Sequence, residues 1–427
     1  MKQSNYNIIV KLPNSSNSLV YNTLYGGLIC LEPEYLNILK ECKYDSNIIK
    51  YQKAFEELKN QKFIIEDDED EFEFLKYEYY KAMFDNAELA LTIAPTLACN
   101  FKCPYCYETS RNNIISSEGI NAILDFVKEK YETNSFKKIK VNWYGGEPLI
   151  AIDSVVQISN LLIDFSNTNN IEYSAKMITN GSLINDEILK KLKSIKVSNI
   201  QITIDGTKEK NDKRRLSKDG TPTYQKLVNN VKKTADCGIG VEVRMNTDNI
   251  NKEDYLKLVD IFKEYDNVDV YMGHLIKYKN NDELQCFDFL SKEEYGKLSY
   301  KMSANVKCDY ENIFECKKMY CGATQENNFI IDEECNVYKC WNDIGNNDKV
   351  IYNLLEKPDN RKVNKKAFLR YMSWNPFNKE QCKNCKIFPI CAGGCAYESI
   401  KDNELYCYPP KYAIDQYIIS YYEGLKK

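Results

Sequence analysis

Between residues 88 and 275, short apolar runs typical of strands alternate with segments whose apolar residues recur at helical spacing. The strand-like runs are LALTIAP, KIKVNWYGG, YSAKMITNG, NIQITIDG, VEVRMNT and VDVYMGHL. Helical patterns such as SEGINAILDFVKEKYE and YQKLVNNVKKTADC lie between them. This alternation predicts βαβ units and a parallel sheet. Six repeats are too few for a closed eight-fold barrel, so they predict an open, partial barrel.

The pattern is different on both sides of this region. Before it, NIIVKL, LVYNTLYGGLICL and KFII are predicted strands, and two segments between them have helical spacing. This order is typical of a small winged-helix-like α+β module, unless the segment only embellishes the main domain. The acidic run EDDEDEFE then predicts a solvated boundary. After residue 300 periodicity is weak and cysteines recur, which indicates a region held by metal more than by an apolar core. We therefore expect domains at 1–85, 86–300 and 301–427.

Composition narrows the class of protein. The chain has 427 residues, 43% of them hydrophobic, and a formal net charge of −4. These values predict a globular protein. No basic run indicates a nucleic-acid groove, the N-terminal residues do not resemble a signal peptide, and no apolar run approaches the length of a membrane span. We expect a cytoplasmic protein with no nucleic-acid or membrane partner.

The cysteine count is unusual for a cytoplasmic protein. There are 17 cysteines and a single histidine, His274. The cytosol keeps thiols reduced. A high number of cysteines in a cytoplasmic protein therefore indicates metal binding more than disulfide bonds. The lone histidine disfavours most zinc-enzyme ligand sets and histidine acid–base chemistry. Iron–sulfur clusters or all-cysteine zinc sites remain.

Three of the cysteines lie together after the first predicted strand of the sheet, in TLACNFKCPYCYETS. Cys99, Cys103 and Cys106 are one ligand short of a closed zinc site or a fully ligated four-iron cluster. Three thiolates would leave one iron of a cluster open to a substrate or cofactor. A zinc site completed by a distant cysteine, or plain buried thiols, also fits this spacing.

The segment CNFKCPYCY resembles the signature of the radical S-adenosylmethionine (SAM) superfamily, Cys-x3-Cys-x-aromatic-Cys. The resemblance implies a partial (β/α)6 barrel, in agreement with the six repeats. It also implies that Cys99, Cys103 and Cys106 bind a [4Fe–4S] cluster whose open iron binds SAM. Reductive cleavage of SAM then gives a 5′-deoxyadenosyl radical that abstracts hydrogen from an unactivated carbon.

Two further strand ends resemble the family motifs that surround SAM. YGGEP, at 144–148, resembles the GGEP motif, so Gly145 and Gly146 are expected close to the cofactor and Glu147 at its ammonium group. ITNG, at 178–181, resembles the segment beside the ribose, which implies that Thr179 and Asn180 bind the cofactor.

The same resemblance assigns three more residues. Tyr105 occupies the position at which the family places an aromatic residue against the adenine. QITIDG and RMNT match family strands that approach the cofactor. We therefore expect Arg244 near the SAM carboxylate and Asp205 near the active site, where it is a candidate catalytic residue.

The C-terminal cysteines resemble the SPASM extension of this superfamily, which holds two auxiliary [4Fe–4S] clusters. The run CKNCKIFPICAGGC has the extension's Cys-x2-Cys-x5-Cys-x3-Cys spacing. Zinc knuckles would have the same CxxC pairs, and the accompanying triplet favours iron. With the triplet's cluster, the resemblance implies three clusters. The implied ligands are Cys321, Cys340 and Cys395, with Cys316 as a possible fourth, for the first auxiliary cluster, and Cys382, Cys385, Cys391 and Cys407 for the second.

The sequence departs from the family at one position and leaves the catalytic base open. The family usually has glycine five residues before the second early cysteine, where this chain has Cys335, and Cys308 is another loose thiol. Ligation of the first auxiliary cluster is therefore either complete or open at one iron, where a substrate thiolate would bind. The base that accepts the substrate proton is Asp343, a tyrosine or a more remote glutamate.

Three functions fit these residues. The first is a maturase that cross-links a ribosomally made peptide through a Cys thioether, or otherwise a carbon–carbon or ether bond. Residues 1–85 would bind the leader of that precursor peptide, and flavodoxin or ferredoxin would donate electrons.

The second function is that of an anaerobic sulfatase-maturating enzyme, which forms formylglycine. Those enzymes have an aspartate directly after the second early cysteine, where this chain has Trp341. The third, a non-catalytic iron–sulfur protein, has no need of GGEP and TNG.

Overall fold

The computed structural model describes residues 1–277, 287–304, 306 and 310–425. Cys286 and Cys308 lie outside the described residues. The chain forms two compact units. The first unit contains Met1–Phe84, Ser291–Thr324 and Trp374–Lys427, and the second contains Asp85–Leu290 and Gln325–Ser373. The division at 1–85, 86–300 and 301–427 stays a prediction, and these packing units follow other boundaries.

Fourteen strands lie in the described part of the chain. They are Lys2–Gln3 (β1), Asn7–Lys11 (β2), Ser18–Asn22 (β3), Leu28–Leu31 (β4), Ile64–Ile65 (β5), Glu88–Ile93 (β6), Lys138–Trp143 (β7), Glu172–Thr179 (β8), Val197–Thr203 (β9), Gly240–Thr247 (β10), Val268–His274 (β11), Asn328–Ile331 (β12), Asn336–Tyr338 (β13) and Tyr352–Asn353 (β14).

Sixteen α-helices accompany these strands in the described residues. They are Pro33–Glu41 (α1), Ile49–Asn60 (α2), Glu71–Met83 (α3), Ser117–Asn134 (α4), Ile152–Thr168 (α5), Asp186–Ser194 (α6), Lys208–Arg214 (α7), Tyr224–Asp236 (α8), Tyr255–Phe262 (α9), Lys292–Ser303 (α10), Tyr310–Phe314 (α11), Lys365–Met372 (α12), Glu380–Lys383 (α13), Phe388–Cys391 (α14), Ala396–Asp402 (α15) and Ile414–Gly424 (α16).

The second unit contains the predicted parallel sheet. Its nine strands run in the order β11-β10-β9-β8-β7-β6-β12-β13-β14, and every neighbouring pair from β6 to β11 is parallel. The six predicted strands are therefore confirmed. Alternate residues of β7, such as Ile139, Val141 and Trp143, are buried, whereas Lys138 and Lys140 are more exposed. The carboxyl ends of all six strands meet at one edge, where loops carry the candidate chemistry.

Three strands that the sequence analysis did not predict extend this sheet. β12 pairs in parallel with β6, and β13 and β14 follow in antiparallel order. Each strand has only two to four residues, which is too short for an alternating pattern to be recognised. Residues 325–373 therefore belong to the same unit as the parallel sheet.

In the first unit, the N-terminal sheet has the order β2-β3-β4 and is antiparallel. LVYNTLYGGLICL, predicted as one strand, is the hairpin β3–β4. Its turn closes because Gly26, at φ +79°, donates its N–H to the carbonyl of Asn22 over 2.9 Å. KFII forms β5, which pairs with β1.

Both faces of this small sheet are buried, which explains why every residue of β3 is buried. On one face Val20 packs with Leu39, Leu58 and Phe63 of the surrounding N-terminal segment. On the other face Leu19 and Tyr21 belong to a cluster with C-terminal apolar residues, among them Ile390, Tyr417 and Ile418. The N-terminal and C-terminal segments of this unit therefore share one core.

One helix is longer and more apolar than expected, since we expected no apolar run to approach the length of a membrane span. Pro148–Thr168 is long and apolar enough, by length and composition, to cross a membrane, and core helices of soluble proteins pass the same test. Val155, Ile158 and Leu162 are buried within the fold, and its α5 portion connects the neighbouring parallel strands β7 and β8. We interpret it as a core helix of the α/β sheet.

The acidic run at 66–73, predicted as a solvated boundary, is exposed from Glu66 to Asp68 and at Asp70, and its last residues begin α3 at Glu71. The Asp70 side chain accepts hydrogen bonds from the N–H groups of Phe72 and Glu73, at 3.1 and 3.0 Å. Glu71 and Glu73 lie in the first turn, where negative charge favours the helix dipole. Within the run, Asp70 therefore caps the helix and the acidic residues of the first turn complement its dipole.

Asp70→Ala should lower the free energy of unfolding by about 1 kcal/mol, because two helix N–H groups lose their acceptor. Urea unfolding followed by circular dichroism measures this loss. Asp68→Ala is the matched control, since Asp68 is exposed in the same run and does not cap the helix. Equal stability losses in both variants would contradict the capping role.

Candidate functional site

The three clustered cysteines lie on a loop that leaves β6 and is closed at its base. Thr96 pairs with Ile114, and the Thr96 hydroxyl donates to the carbonyl of Asn113 over 2.6 Å. The middle of the loop is held at Phe101, which bridges to Ser217. The loop that carries the three cysteines is therefore held at its two ends and in its middle.

The thiols on this loop are free, as are all cysteines in the described residues. Burial raises the pKa of Cys99 to about 11 and also raises the pKa of Cys103. Such thiols keep their protons at neutral pH until a metal displaces them. Within the described ranges, no three cysteine, histidine or carboxylate side chains converge on the position of one metal ion. A four-iron cluster binds each cysteine to a different iron, so it does not need such convergence.

The GGEP turn packs against the backbone of the cysteine loop. Gly145 has φ +112°, and a Cβ atom there would lie 2.4 Å from the carbonyl oxygen of Thr96. At Gly146 a Cβ atom would lie 2.5 Å from the carbonyl oxygens of Leu97 and Ala98. Only glycine leaves room for this approach. The turn and the loop therefore have a fixed separation.

Glu147 completes this contact from a fully buried position. Its N–H donates to the carbonyl of Ala98 over 2.8 Å. One carboxylate oxygen accepts from the Thr179 hydroxyl over 2.6 Å, and the other accepts from the Asn180 N–H over 2.7 Å. Burial raises the pKa of Glu147, and these hydrogen bonds oppose the rise. The structure thus brings together Glu147, Thr179 and Asn180; their binding of a cofactor stays a prediction.

Two residues that the sequence analysis missed tie this cluster to the first cysteine. The Asn180 carboxamide donates to the side-chain oxygen of Asn100 over 2.8 Å and lies 3.8 Å from the Cys99 sulfur. Asn100 donates in turn to the Ser182 hydroxyl over 2.9 Å. Asn100 directly follows Cys99, and Ser182 directly follows the TNG segment. This adjacency to motif residues is the feature from which both could have been predicted.

A second network joins the other predicted residues. The Tyr105 hydroxyl donates to Asp205 and accepts from the Arg215 guanidinium over 2.8 Å and from the Asn246 carboxamide over 3.2 Å. Arg244 donates to the side-chain oxygen of Asn246 over 2.9 Å. Tyr105, Asp205 and Arg244 therefore belong to one hydrogen-bonded group, which Arg215 and Asn246 complete. Neither of these two residues was predicted as a site residue, although Asn246 lies within RMNT, two residues from Arg244.

Charge in this second network is balanced inside the protein. Asp205 is fully buried, and burial raises its pKa while Arg215 and Tyr105 oppose the rise. Burial alone would lower the pKa of Arg215, but Tyr105, Cys103 and Asp205 raise it. The same guanidinium lowers the pKa of Cys103 against the effect of burial. Arg215 therefore favours the thiolate that metal binding requires.

Asp343 is not hydrogen-bonded into either network. It is buried, and its carboxylate accepts from the Tyr371 hydroxyl over 2.6 Å. Burial raises its pKa, and the Tyr371 hydrogen bond opposes the rise. Asp343 and Asp205 thus occupy separate surroundings, and the catalytic role of each stays a prediction.

Four of the C-terminal cysteines surround one cavity in the first unit. Cys382, Cys385, Cys391 and Cys407 line it together with Lys411, whose ammonium lies 3.4 Å from the Cys407 sulfur. Four thiols around one cavity fit the donor set of a four-iron cluster. Their ligand role stays a prediction.

The predicted ligands of the first auxiliary cluster come from both units. Burial raises the pKa of Cys395 to about 11, and the nearby Cys321 thiolate contributes to this rise. Cys316 is exposed, and the charges acting on it come from Glu315, Lys318 and Glu78. Cys340 belongs to the second unit and is buried.

Cys335, which replaces the usual family glycine, has a packing role. Its φ of +65° is left-handed, which explains why glycine suits this position. The side chain is buried against Gly119, where an added Cβ atom would lie 2.6 Å from the sulfur. Burial raises its pKa to about 12. We therefore do not count it among the candidate ligands.

Arg111, on the later part of the cysteine loop, contacts three successive carboxylates at the β12–β13 turn. Its nitrogens lie 3.1 Å from Asp332, 2.9 Å from Glu333 and 2.7 Å from Glu334. The Asp332 and Glu333 side chains are fully buried. Burial and Asp332 raise the pKa of Glu333 to about 7. These ion pairs fix the outer part of the loop to the extended sheet.

Comparison with known proteins agrees with this geometry. Residues 93–265 match the family model described as Radical SAM superfamily. The chain is 23% identical over 350 residues to the cysteine-type anaerobic sulfatase-maturating enzyme of Clostridium novyi (strain NT), an alignment that covers 72% of this chain and 87% of that protein.

Two solved structures are similar in fold. Native anSMEcpe with bound AdoMet and Kp18Cys peptide has a TM-score of 0.63 at 19% identity, covering 79% of this chain and 98% of that one. Streptococcus suis SuiB bound to precursor peptide SuiA has a TM-score of 0.53 at 17% identity, covering 94% and 97%. The predicted α/β class, with a partial barrel and a cysteine-rich C-terminal region like that of SPASM proteins, is confirmed.

Tyr105→Phe should lower the free energy of unfolding by about 1–3 kcal/mol, because Asp205, Arg215 and Asn246 all lose a buried partner. Thermal and urea unfolding measure the loss. Tyr77→Phe, at an exposed tyrosine, is the control.

If the Tyr105 ring contacts adenine, Tyr105→Phe should keep SAM affinity and Tyr105→Leu should lose it. Equal SAM affinities for Phe and Leu would exclude that contact.

Glu333→Gln should make stability less dependent on pH. Because the pKa of Glu333 is raised from 4.5 to about 7, its contribution to stability is complete below about pH 4.5 and is lost as pH rises toward 7. The Tm of the variant relative to wild type should therefore rise between about pH 5.5 and 7.5. Glu334→Gln, at a side chain that is 43% exposed, is the control. A Tm difference that is constant with pH would contradict the raised pKa.

Proposed function

Because this chain is a radical SAM enzyme, we propose that it matures a ribosomally made peptide by installing a cross-link. The favoured link is a thioether from a cysteine sulfur to a carbon, and carbon–carbon or ether links are the alternatives. The observation that carries the proposal is an N-terminal α+β segment with an open sheet edge, present in the same chain as the radical SAM domain and the cysteine-lined cavity.

The open edge is suited to binding a leader peptide. β3 is the central strand of the β2-β3-β4 sheet, so β2 and β4 are its edges. β4 is the more accessible edge, since three of its four residues are only partly buried. A leader segment in extended conformation would add a strand there through backbone hydrogen bonds, and side-chain pockets would supply specificity.

The radical SAM cluster would be held by Cys99, Cys103 and Cys106. With SAM bound, it supplies a radical that removes hydrogen from an unactivated carbon. The close backbone approach at Gly145 and Gly146 packs the GGEP turn directly against this loop.

Three groups of residues would position the cofactor. Glu147 joins the second and third strand ends through Thr179 and Asn180, and these three residues would bind the cofactor. Tyr105 would lie against the adenine, and Arg244 near the SAM carboxylate.

The C-terminal cysteines would hold two auxiliary clusters, for a total of three. Cys382, Cys385, Cys391 and Cys407 would hold one of them, and their common cavity supports this ligand set. Cys321, Cys340 and Cys395, with Cys316 as possible fourth ligand, would hold the other. Flavodoxin or ferredoxin would supply electrons, and the enzyme would work in the cytoplasm.

Sulfatase maturation is the second candidate, because the C. novyi protein named above has that activity in its name. Two observations favour the first candidate. The structural similarity to anSMEcpe covers 79% of this chain, whereas the similarity to SuiB, which was solved with a precursor peptide, covers 94%. More of this chain therefore has a counterpart in SuiB than in anSMEcpe. Trp341 also stands where sulfatase-maturating enzymes have an aspartate.

The test is anaerobic co-expression with the short cysteine-containing peptide encoded beside the gene, followed by mass spectrometry. A thioether maturase should remove two hydrogens from the peptide for each link and leave the linked cysteine resistant to alkylation. Loss of hydrogens with free thiols would instead indicate carbon–carbon or ether links.

Two controls make this outcome decisive. Cys103→Ala should abolish both peptide modification and 5′-deoxyadenosine formation while the C-terminal clusters remain, and Cys335→Gly should keep both activities. An unmodified precursor together with conversion of a sulfatase peptide to its aldehyde would replace the proposed function with the second candidate.

A further inference from the structure

The second unit has an open cleft of about 440 Å³ beside the candidate site. One wall is formed by Tyr107 and Thr109, which follow Cys106, and the other, called the 342–348 wall, by Asn342 and residues 344–348, which follow Cys340 and Trp341. The two walls approach closely, since a Cβ atom on Gly345 would lie 3.7 Å from that of Thr109. The cleft therefore lies between the loops that follow two predicted cluster ligands.

We propose that this cleft binds the core segment of the peptide substrate in extended conformation, with its backbone along the 342–348 wall. This inference rests on the proposed function and deepens it, because it assigns a subsite separate from the N-terminal leader site. Its occupant is the part of the peptide that is to be modified, and a radical-bearing site needs that part nearby.

The chemistry of the walls fits a peptide backbone. The carboxamides of Asn342, Asn346 and Asn347 and the hydroxyls of Tyr107 and Thr109 offer both donors and acceptors, and the Asp348 carboxylate adds an acceptor for peptide N–H groups. No lysine or arginine is among the described residues that line the cleft. A phosphate-bearing ligand would need such a cation, so the lining favours neutral amide groups over a nucleotide.

One acceptor in the wall lacks a partner. The side-chain oxygen of Asn342 is shielded from solvent and has no hydrogen bond within the described residues. A buried acceptor in that state costs free energy until a donor reaches it. The terminal torsion of asparagine is soft, so this oxygen can turn toward a substrate N–H in the cleft.

An aromatic stack adjoins the same wall. Trp341 is 42% exposed, and its ring stacks on that of Tyr144 with centroids 5.7 Å apart and planes at 23°. The Tyr144 hydroxyl is hydrogen-bonded to that of Tyr107, a residue of the opposite wall. The stack holds the Trp341 ring in place and leaves a large apolar surface exposed, which suits contact with an apolar side chain of the peptide.

Trp341 also provides a direct measurement. The chain has three tryptophans, and the other two, Trp143 and Trp374, are 0% and 8% exposed. Acrylamide quenching of tryptophan fluorescence in the anaerobic holoenzyme therefore reports mainly on Trp341. The precursor peptide encoded beside the gene, and its core segment without leader, should each lower the quenching constant at least twofold. Trp341→Phe should remove most of the quenchable signal and its response to peptide.

Kinetics with the same precursor supply the second readout. Asn342→Leu, close in size but without the acceptor, should raise KM about tenfold and change kcat less than twofold, because a binding contact is lost. Asn360→Ala should leave both constants unchanged, since Asn360 is exposed in the same unit and does not line the cleft. Circular dichroism and Tm show whether each variant is folded.

The outcomes separate this inference from the proposed function. If wild type modifies the precursor while acrylamide quenching is unchanged by either peptide, the subsite is overturned and the proposed function stands. A wild-type KM in a folded Asn342→Leu variant would also overturn it. If the precursor is neither modified nor protective of Trp341, both proposals fail. Protection together with a raised KM supports the subsite.

Discussion

The contact between the Gly145–Gly146 turn and the backbone of residues 96–98 sets the position of everything else at the candidate site. A side chain at either glycine would collide with carbonyl oxygens of the cysteine loop. Glu147 then follows immediately and uses its buried carboxylate to hold the next strand end through Thr179 and Asn180. Three separate loops are thereby fixed relative to one another before any cofactor is bound. Preorganisation of this kind lowers the cost of ordering the site when the cofactor arrives.

Burial of charge is the second constraint, and the two networks satisfy it differently. The Tyr105 network places a carboxylate, Asp205, and a guanidinium, Arg215, around one hydroxyl, so that opposite charges compensate where water is excluded. Glu147 has no cation hydrogen-bonded to it among the described contacts and depends on N–H and hydroxyl donors. A cationic group brought near Glu147 would restore charge balance, which agrees with the ammonium role that the family resemblance implies. The two networks therefore differ in charge balance because a guanidinium donates to the Tyr105 network, whereas only N–H and hydroxyl groups donate to Glu147.

Several features were predictable because they depend on local pattern. Alternating apolar residues gave the six parallel strands, and the spacing of Cys99, Cys103 and Cys106 indicated a three-thiolate site. Other features depended on contacts that are distant in sequence. Arg215 and Asn246 reach Tyr105 across more than 100 residues. Asn246 lies within RMNT, whereas nothing in the local sequence marks Arg215. Strands β12 to β14 were missed because each has only two to four residues, too few for an alternating pattern to be recognised. The acidic run at 66–73 was predicted as solvated, and its composition alone did not show that Asp70 also caps α3.

The sequence by itself determined the class of chemistry and the parallel α/β core, because ligand type, ligand spacing and hydrophobic period are local properties of the chain. Only the tertiary structure decided which residues meet. It gathered Cys382, Cys385, Cys391 and Cys407 around one cavity, paired Asp343 with Tyr371, and gave Cys335 a left-handed packing position. It also formed the cleft between the loops after Cys106 and Cys340. These juxtapositions result from packing a closed loop against an extended sheet, and the steric and hydrogen-bond requirements of that packing are not encoded in any short stretch of sequence.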